Sequence, residues 1–186
     1  MRRFKVLFLV LPGLIVLTGA AAFGQARSLA ITTNKTVVDG VVNPAEYSYS
    51  QDFGQLSLYV NRTADTLYVG VVGVTTGWVA IGLGSLKMDG STIFMGFVTA
   101  DGKVQFKTQA GSGHSHQDAA QAVANTVLSS AMKETGGKTT LEIALKPAAY
   151  IKAGQSALQV IYAQGSEDSF TPRHMFRGAV SITIAQ

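Results

Sequence analysis

The sequence contains no cysteine, four prolines, one tryptophan and few charged residues, 14% of its 186 positions. Zero cysteine excludes disulfides, thiolate metal sites, cysteine nucleophiles, a lipid anchor on cysteine and C-x-x-C-H attachment of haem. An exported fold without disulfides must rest on burial and sheet pairing. Several catalytic signatures are missing as well. There is no Gly-x-Ser-x-Gly elbow, no phosphate-binding glycine loop and no His-Glu-x-x-His helix. Beyond the N-terminus, no stretch is long and apolar enough to span a bilayer.

The one long apolar run lies at the start. Arg2, Arg3 and Lys5 precede an apolar stretch from Val6 to Ala22, and small residues follow. That order is a secretory signal, with cleavage after Ala22 or Ala26. An uncleaved anchor is the alternative. Pro12 and Gly13 within the run, and no basic cluster behind it, favour removal. Residues 1–26 are therefore expected to be a signal peptide, and 27–186 a single domain with its own core. The expected location is secreted, periplasmic or at the extracellular surface, with no lipid anchor. The formal charge of +4 belongs to the precursor. Of 15 Lys and Arg against 11 Asp and Glu, three basic residues lie in the signal, which leaves 12 against 11. A nucleic-acid partner needs a concentrated basic face, and none is visible.

After the signal, apolar residues recur with period two, and β-branched and aromatic types are frequent, which indicates a mostly β chain. Val37–Val42 is expected to be a tight hairpin turning at Asp39-Gly40. Leu56–Val60 and Thr66–Val72 flank a second turn. Trp78–Gly84, Thr92–Thr99 and Val104–Thr108 continue the series, followed by Thr139–Leu145, Leu158–Ala163 and Ala179–Ile184. Asp118–Lys133 is Ala-rich and helix-compatible; its second half, before Thr135-Gly136-Gly137, is favoured as a strand. Gly111–His116 is expected to be an exposed, mobile loop. Many short strands between turn signals point to an all-β, two-sheet antiparallel β-sandwich.

The segment Asp39–Gly96 resembles the DOMON family of extracellular β-sandwich domains, which bind haem or sugars. The matching residues are Asp39-Gly40-Val41 with Glu46-Tyr47, then Thr76-Gly77-Trp78-Val79-Ala80-Ile81-Gly82-Leu83, then Met88-Asp89-Gly90-Ser91. His174, with Arg177-Gly178 behind it, matches the end of the pattern. The resemblance covers nearly all of the chain after the signal and implies a sandwich of immunoglobulin-like or DOMON type. In the haem-binding branch, the methionine after the Trp strand and the C-terminal histidine are axial ligands, here Met88 and His174. What the resemblance implies is a b-type cytochrome that carries electrons and is not an enzyme. Its haem b would be non-covalent, with Trp78 in its wall and Arg173 and Arg177 placed for the propionates. Its partner would be a redox protein in trans, an exported dehydrogenase or a membrane cytochrome.

Each of these residues has a plainer reading. Met88 can be a core gap-filler, although Asp89-Gly90 behind it puts it at a turn. Met95, inside a strand, reads as packing. Trp78 also reads as core, and His174 as a surface histidine. His114, His116 and Asp118 alternate, so they could share one side of a strand and hold a divalent metal; His114 or His116 is also the rival haem ligand. Glu46 with Asp52, and Glu167 with Asp168, are formal carboxylate pairs for glycoside chemistry, better explained as turn residues. Asn34-Lys35-Thr36 and Asn61-Arg62-Thr63 match the glycosylation sequon. The competing function is a haem-free module binding a carbohydrate or another extracellular ligand.

Overall fold

The computed structural model describes residues 28–171 and 173–185. The expected signal peptide lies outside the described residues. Eleven strands form: β1 (Tyr49–Asp52), β2 (Leu56–Arg62), β3 (Leu67–Gly73), β4 (Val79–Leu83), β5 (Thr92–Val98), β6 (Val104–Ser112), β7 (Ser115–Asp118), β8 (Val127–Thr135), β9 (Lys138–Leu145), β10 (Ala157–Gln164) and β11 (Phe176–Thr183). They make two antiparallel sheets, β1-β2-β3-β9-β8 and β11-β10-β4-β5-β6-β7. Among the described residues the one α-helical turn, α1, is Gln121–Ala124. This is the all-β sandwich that the period-two pattern indicated.

The inner faces follow from that alternation. Leu56, Leu58 and Val60 of β2 are buried together with Val69, Val71, Leu141 and Ile143 of the neighbouring strands. Val79, Ile81, Leu83, Phe94 and Val160 meet them from the other sheet. Burying each such side chain contributes about 1.5–3 kcal/mol. Gly96 lies on this inner face, and a Cβ there would press on the Met132 side chain, which comes from β8 in the opposite sheet.

Both sheets are also covered on their outer faces. β4 is buried at all five positions and β5 at its five central ones. Unbroken burial in a strand means that something packs on each side. On the six-stranded sheet the residues that alternate with the inner core (Ala80, Ile93, Met95 and Phe97) form a second apolar cluster with Trp78. On the five-stranded sheet Tyr68 and Ala144 form a third, with Tyr47 laid over them.

Three segments depart from the expectations. Val37–Val42 forms no hairpin, because the Asp39 and Gly40 N–H groups donate to the Glu142 Oε2 at 3.1 and 2.8 Å, not to a partner strand. Gly40 keeps the positive φ of the expected turn, +83°. Gly111–His116 is not a free loop: Gly111 pairs with His116 and Ser112 with Ser115, which closes a β6–β7 hairpin. The Ala-rich stretch divides into α1 and β8, the latter pairing with β9 across Gly136-Gly137 as the strand reading required. β1 was not anticipated.

The N-terminal segment crosses the outer face of the five-stranded sheet and is fixed by polar contacts. Asn61 is 1% exposed; its amide donates to Asn34 O at 2.9 Å and to Thr36 Oγ1 at 3.2 Å. The Asn61 sequon is therefore a buried structural element, whereas Asn34 is exposed. Glu142 is fully buried, and its Oε1 accepts from the Tyr47 hydroxyl at 2.6 Å. Gly70, cross-strand from Glu142, leaves the space: a Cβ there would sit 2.9 Å from Tyr47 Oη.

Burial, with the Glu142 carboxyl next, pushes the Tyr47 hydroxyl well above its ordinary value near 10. A raised folded-state value means that the contribution is complete below pH 10 and lost as pH rises beyond it, where the unfolded chain ionises first. Urea unfolding across pH 8–11.5 should show stability falling above pH 10. Tyr47→Phe should flatten part of that fall, leaving the share of the buried Tyr49, Tyr150 and Tyr162 and the half-buried Tyr59, whose hydroxyls are also pushed up. An unchanged slope in Tyr47→Phe would exclude this origin.

Candidate functional site

Two loops cover the outer face of the six-stranded sheet. The first joins β4 to β5 and carries Met88. It is pinned to β6 and the β6–β7 turn: Gly90 N donates to Gly111 O at 3.2 Å, Gly111 N to Ser91 O at 2.9 Å, and Gly113 N to the Asp89 carboxylate at 2.9 Å. Ser91 N donates to the Met88 carbonyl at 3.0 Å, and the Ser91 hydroxyl to Lys87 O at 2.6 Å. Met88 is half-buried and packs on the outer cluster. A Cβ at Gly111 would collide with the Met88 carbonyl and lie 3.2 Å from its Cγ, so only glycine lets this loop sit so close.

The second loop joins β10 to β11 and carries His174. Thr75 Oγ1 donates to Gly165 O at 2.7 Å, Gly165 N to Trp78 O at 3.0 Å, and Trp78 N to Glu167 O at 3.2 Å. This fixes the segment against Trp78. Further along, Phe170 packs on Phe97, ring centroids 4.8 Å apart, and Lys107 Nζ stands 5.3 Å from the Phe170 centroid. Met175 N donates to Gln164 O at 2.8 Å and returns the chain to the sheet. A Cβ at Gly165 would overlap the Trp78 ring. Gly165→Ala should therefore cost about 1–3 kcal/mol and raise the Trp78 fluorescence response to quencher; full protection with unchanged stability would show that the segment shifts freely.

Trp78 is 4% exposed, and its Nε1 has no hydrogen-bond partner. It lies just before β4 and packs outside the sandwich, in the cluster beneath the two loops. His174 is half-buried in the same connection as Phe170; Arg173 and Arg177 are exposed. Arg177 pairs across the sheet with Ala163, which packs on the outer cluster, so Arg177 stands at the edge of this face. Met88 and Trp78 are thus brought onto one apolar cluster, and His174 lies in the loop that roofs it. Met95 is 3% exposed in that cluster.

His114, His116 and Asp118 do not form a metal cluster. His114 sits in the β6–β7 turn, and Asp118 accepts from Lys107 at 3.1 Å. Among the described residues no group of three or more His, Asp or Glu side chains is close enough to hold a metal ion. The Lys107 ammonium holds the Asp118 carboxyl below its usual range. The formal acid pairs are used in turns: Glu46 accepts from Val37 N at 2.8 Å, Asp52 from Gly54 N at 2.9 Å, and Glu167 and Asp168 are exposed.

No family model and no curated sequence matches the chain. Solved structures do match in fold. The cytochrome b domain of pyranose dehydrogenase from Coprinopsis cinerea aligns at TM-score 0.55 and 12% identity, over 74% of this chain and 81% of that one. The cytochrome domain of Myriococcum thermophilum cellobiose dehydrogenase aligns at 0.50 and 14%, with the same coverage. A family 9 carbohydrate-binding module from Caldicellulosiruptor kristjanssonii, in complex with cellotriose, aligns at 0.46 and 12%, over 82% and 83%. The fold is that of the dehydrogenase cytochrome domains. It agrees with the fold that the DOMON resemblance implied.

Sequence reading missed Gln109, Phe170 and Glu142. Gln109 is 5% exposed and pairs with Ile93, so it faces the outer cluster, which no local pattern reveals. Phe170 is a lone aromatic in a polar loop. Glu142 had a signal, an acid inside the apolar run Leu141–Leu145. A cavity of about 240 Å³ bounded by Gly40, Val42, Val72, Lys133 and Thr140 lies on the other sheet. None of the residues lining it holds an unpartnered buried polar atom.

Proposed function

We propose that this chain is an exported b-type cytochrome domain, with Met88 and His174 as the axial ligands of one non-covalent haem on the outer face of the six-stranded sheet. One observation carries the reading. A second apolar cluster, separate from the sandwich core, lies beneath the two loops that bear these residues. The donor chemistry suits the group. Met88 offers a soft thioether, His174 an imidazole, and Ala80, Ile93, Met95 and Phe97 an apolar wall. With no cysteine, only non-covalent retention is possible.

Bound there, haem would supply one-electron chemistry. The thioether favours the reduced metal, and the apolar wall excludes water, which acts in the same direction. Arg177 at the edge of the face and Arg173 in the connection would pair with the carboxylates. Two protein ligands leave no open position for a substrate. The chain would then relay electrons to or from a separate redox protein, an exported dehydrogenase or a membrane cytochrome, and would not itself be an enzyme.

Haem-supplemented expression followed by oxidised and dithionite-reduced spectra tests this directly. The expected result is a Soret band and a sharp reduced α-band of low-spin type. Colourless protein that takes up no added hemin would sink the reading and leave the haem-free sugar-binding alternative, detectable as sugar-dependent thermal stabilisation.

A further inference from the structure

We propose that Met88, His116 and Gln109 form a binding site for a soft monovalent metal ion, copper(I) or silver(I), at the β5–β6–β7 end of the outer face. The proposal shares Met88 with the haem reading but does not depend on it. Met88 lies directly on Gly111, its Cγ 3.2 Å from the position of a Cβ there. Gly111 is the cross-strand partner of His116. Residues directly opposite in an antiparallel pair point to the same face, with Cβ atoms about 4.5–5.5 Å apart. His116 thus shares its face with the Gly111 position that Met88 covers.

Gln109 stands two residues along β6 on the same face, opposite Ile93. Among the described residues, two buried polar atoms at this end have no partner, Gln109 Oε1 and His116 Nδ1. Gln109 Nε2 faces the Asp118 carboxylate at 3.4 Å, which orients the amide and leaves its oxygen free. An unpartnered buried polar atom costs about 1–3 kcal/mol, and both residues lie on the same face of the β6–β7 pair, which points to a ligand there.

The donor set selects the ligand. The thioether, the imidazole and the amide oxygen supply no negative charge. The nearby carboxylate, Asp118, is bonded to Lys107. Calcium and magnesium need several charged oxygen ligands and gain little here. Soft thioether and imidazole donors suit copper(I). In a chain without cysteine, methionine is the soft sulfur available.

Anaerobic competition between the haem-free protein and a chromophoric copper(I) chelator tests the site. One copper(I) should bind per chain. His116→Ala and Met88→Leu should each weaken binding by about 100-fold or more, above what outer-shell changes alone cause. His114→Ala and His174→Ala should leave it unchanged. On the wild-type protein, silver(I) should shift one methionine methyl and one histidine ring signal together, which keeps the test open if a variant misfolds. The absence of stoichiometric binding, or wild-type affinity in His116→Ala, would overturn the proposal and assign the two polar atoms to an ordered water. A colourless but copper-binding protein would end the haem reading alone.

Discussion

Glu142→Ala should lower the unfolding free energy by about 3–5 kcal/mol, because three hydrogen-bond donors would lose their acceptor together. Three donors converge on this carboxyl: the N–H groups of Asp39 and Gly40 and the hydroxyl of Tyr47. All three would be orphaned at once, each costing about 1–3 kcal/mol if left dry. The consequence reaches past one side chain. Asp39, Gly40 and Tyr47 lie on the segment that covers the outer face of the five-stranded sheet, and Tyr47 is the lid of the Tyr68–Ala144 cluster. In a domain of this size 1 kcal/mol corresponds to about 2–4 °C, so the melting temperature should fall by roughly 10 °C. Chemical denaturation at pH 7 measures it. A loss under 1 kcal/mol would mean that the clamp holds nothing that packing does not already hold.

The second large effect tests the proposed haem ligands. In haem-loaded protein, Met88→Ala should convert a low-spin spectrum to high-spin or empty the site, and His174→Ala should do the same. Met88 is half-buried, so truncation should cost only about 1–2 kcal/mol of stability, and the folded fraction should stay high. Met88→Leu separates the two roles further by keeping the packing and removing the sulfur. A low-spin spectrum surviving in Met88→Leu would exclude Met88 as a ligand. If His114→Ala or His116→Ala removed the low-spin signal instead of His174→Ala, the nitrogen ligand would lie on the β6–β7 hairpin.

The motif residues behind the DOMON resemblance prove to have two different physical jobs. Asp39-Gly40 and Tyr47 serve stability, because they close over Glu142. Gly77 and Trp78 lie where the β10–β11 connection touches the sheet: a Cβ at Gly77 would overlap the backbone of Gly165–Glu167. Met88 lies in the β4–β5 loop, which Gly111 seats against β6. A string of similar residues is thus partly a clamp and partly the floor and roof of a candidate site.

Local pattern alone determined the all-β class, most strand positions and the exclusion of every cysteine-based chemistry. Alternation is a property of neighbouring residues, so Leu56–Val60 or Thr66–Val72 needed no tertiary information. That β4 is covered on both faces was not part of the sequence expectation. Only the tertiary structure decided what covers it. Cross-strand register placed His116 beside Gly111, Gln109 beside Ile93 and Glu142 beside Gly70, pairs separated by anywhere from 5 to 72 positions in the chain. It also made Asn61 a buried bridge where the sequon suggested a surface residue. Register depends on how whole strands match their hydrophobic faces, so the chemistry of each outer face emerges when the sheets assemble.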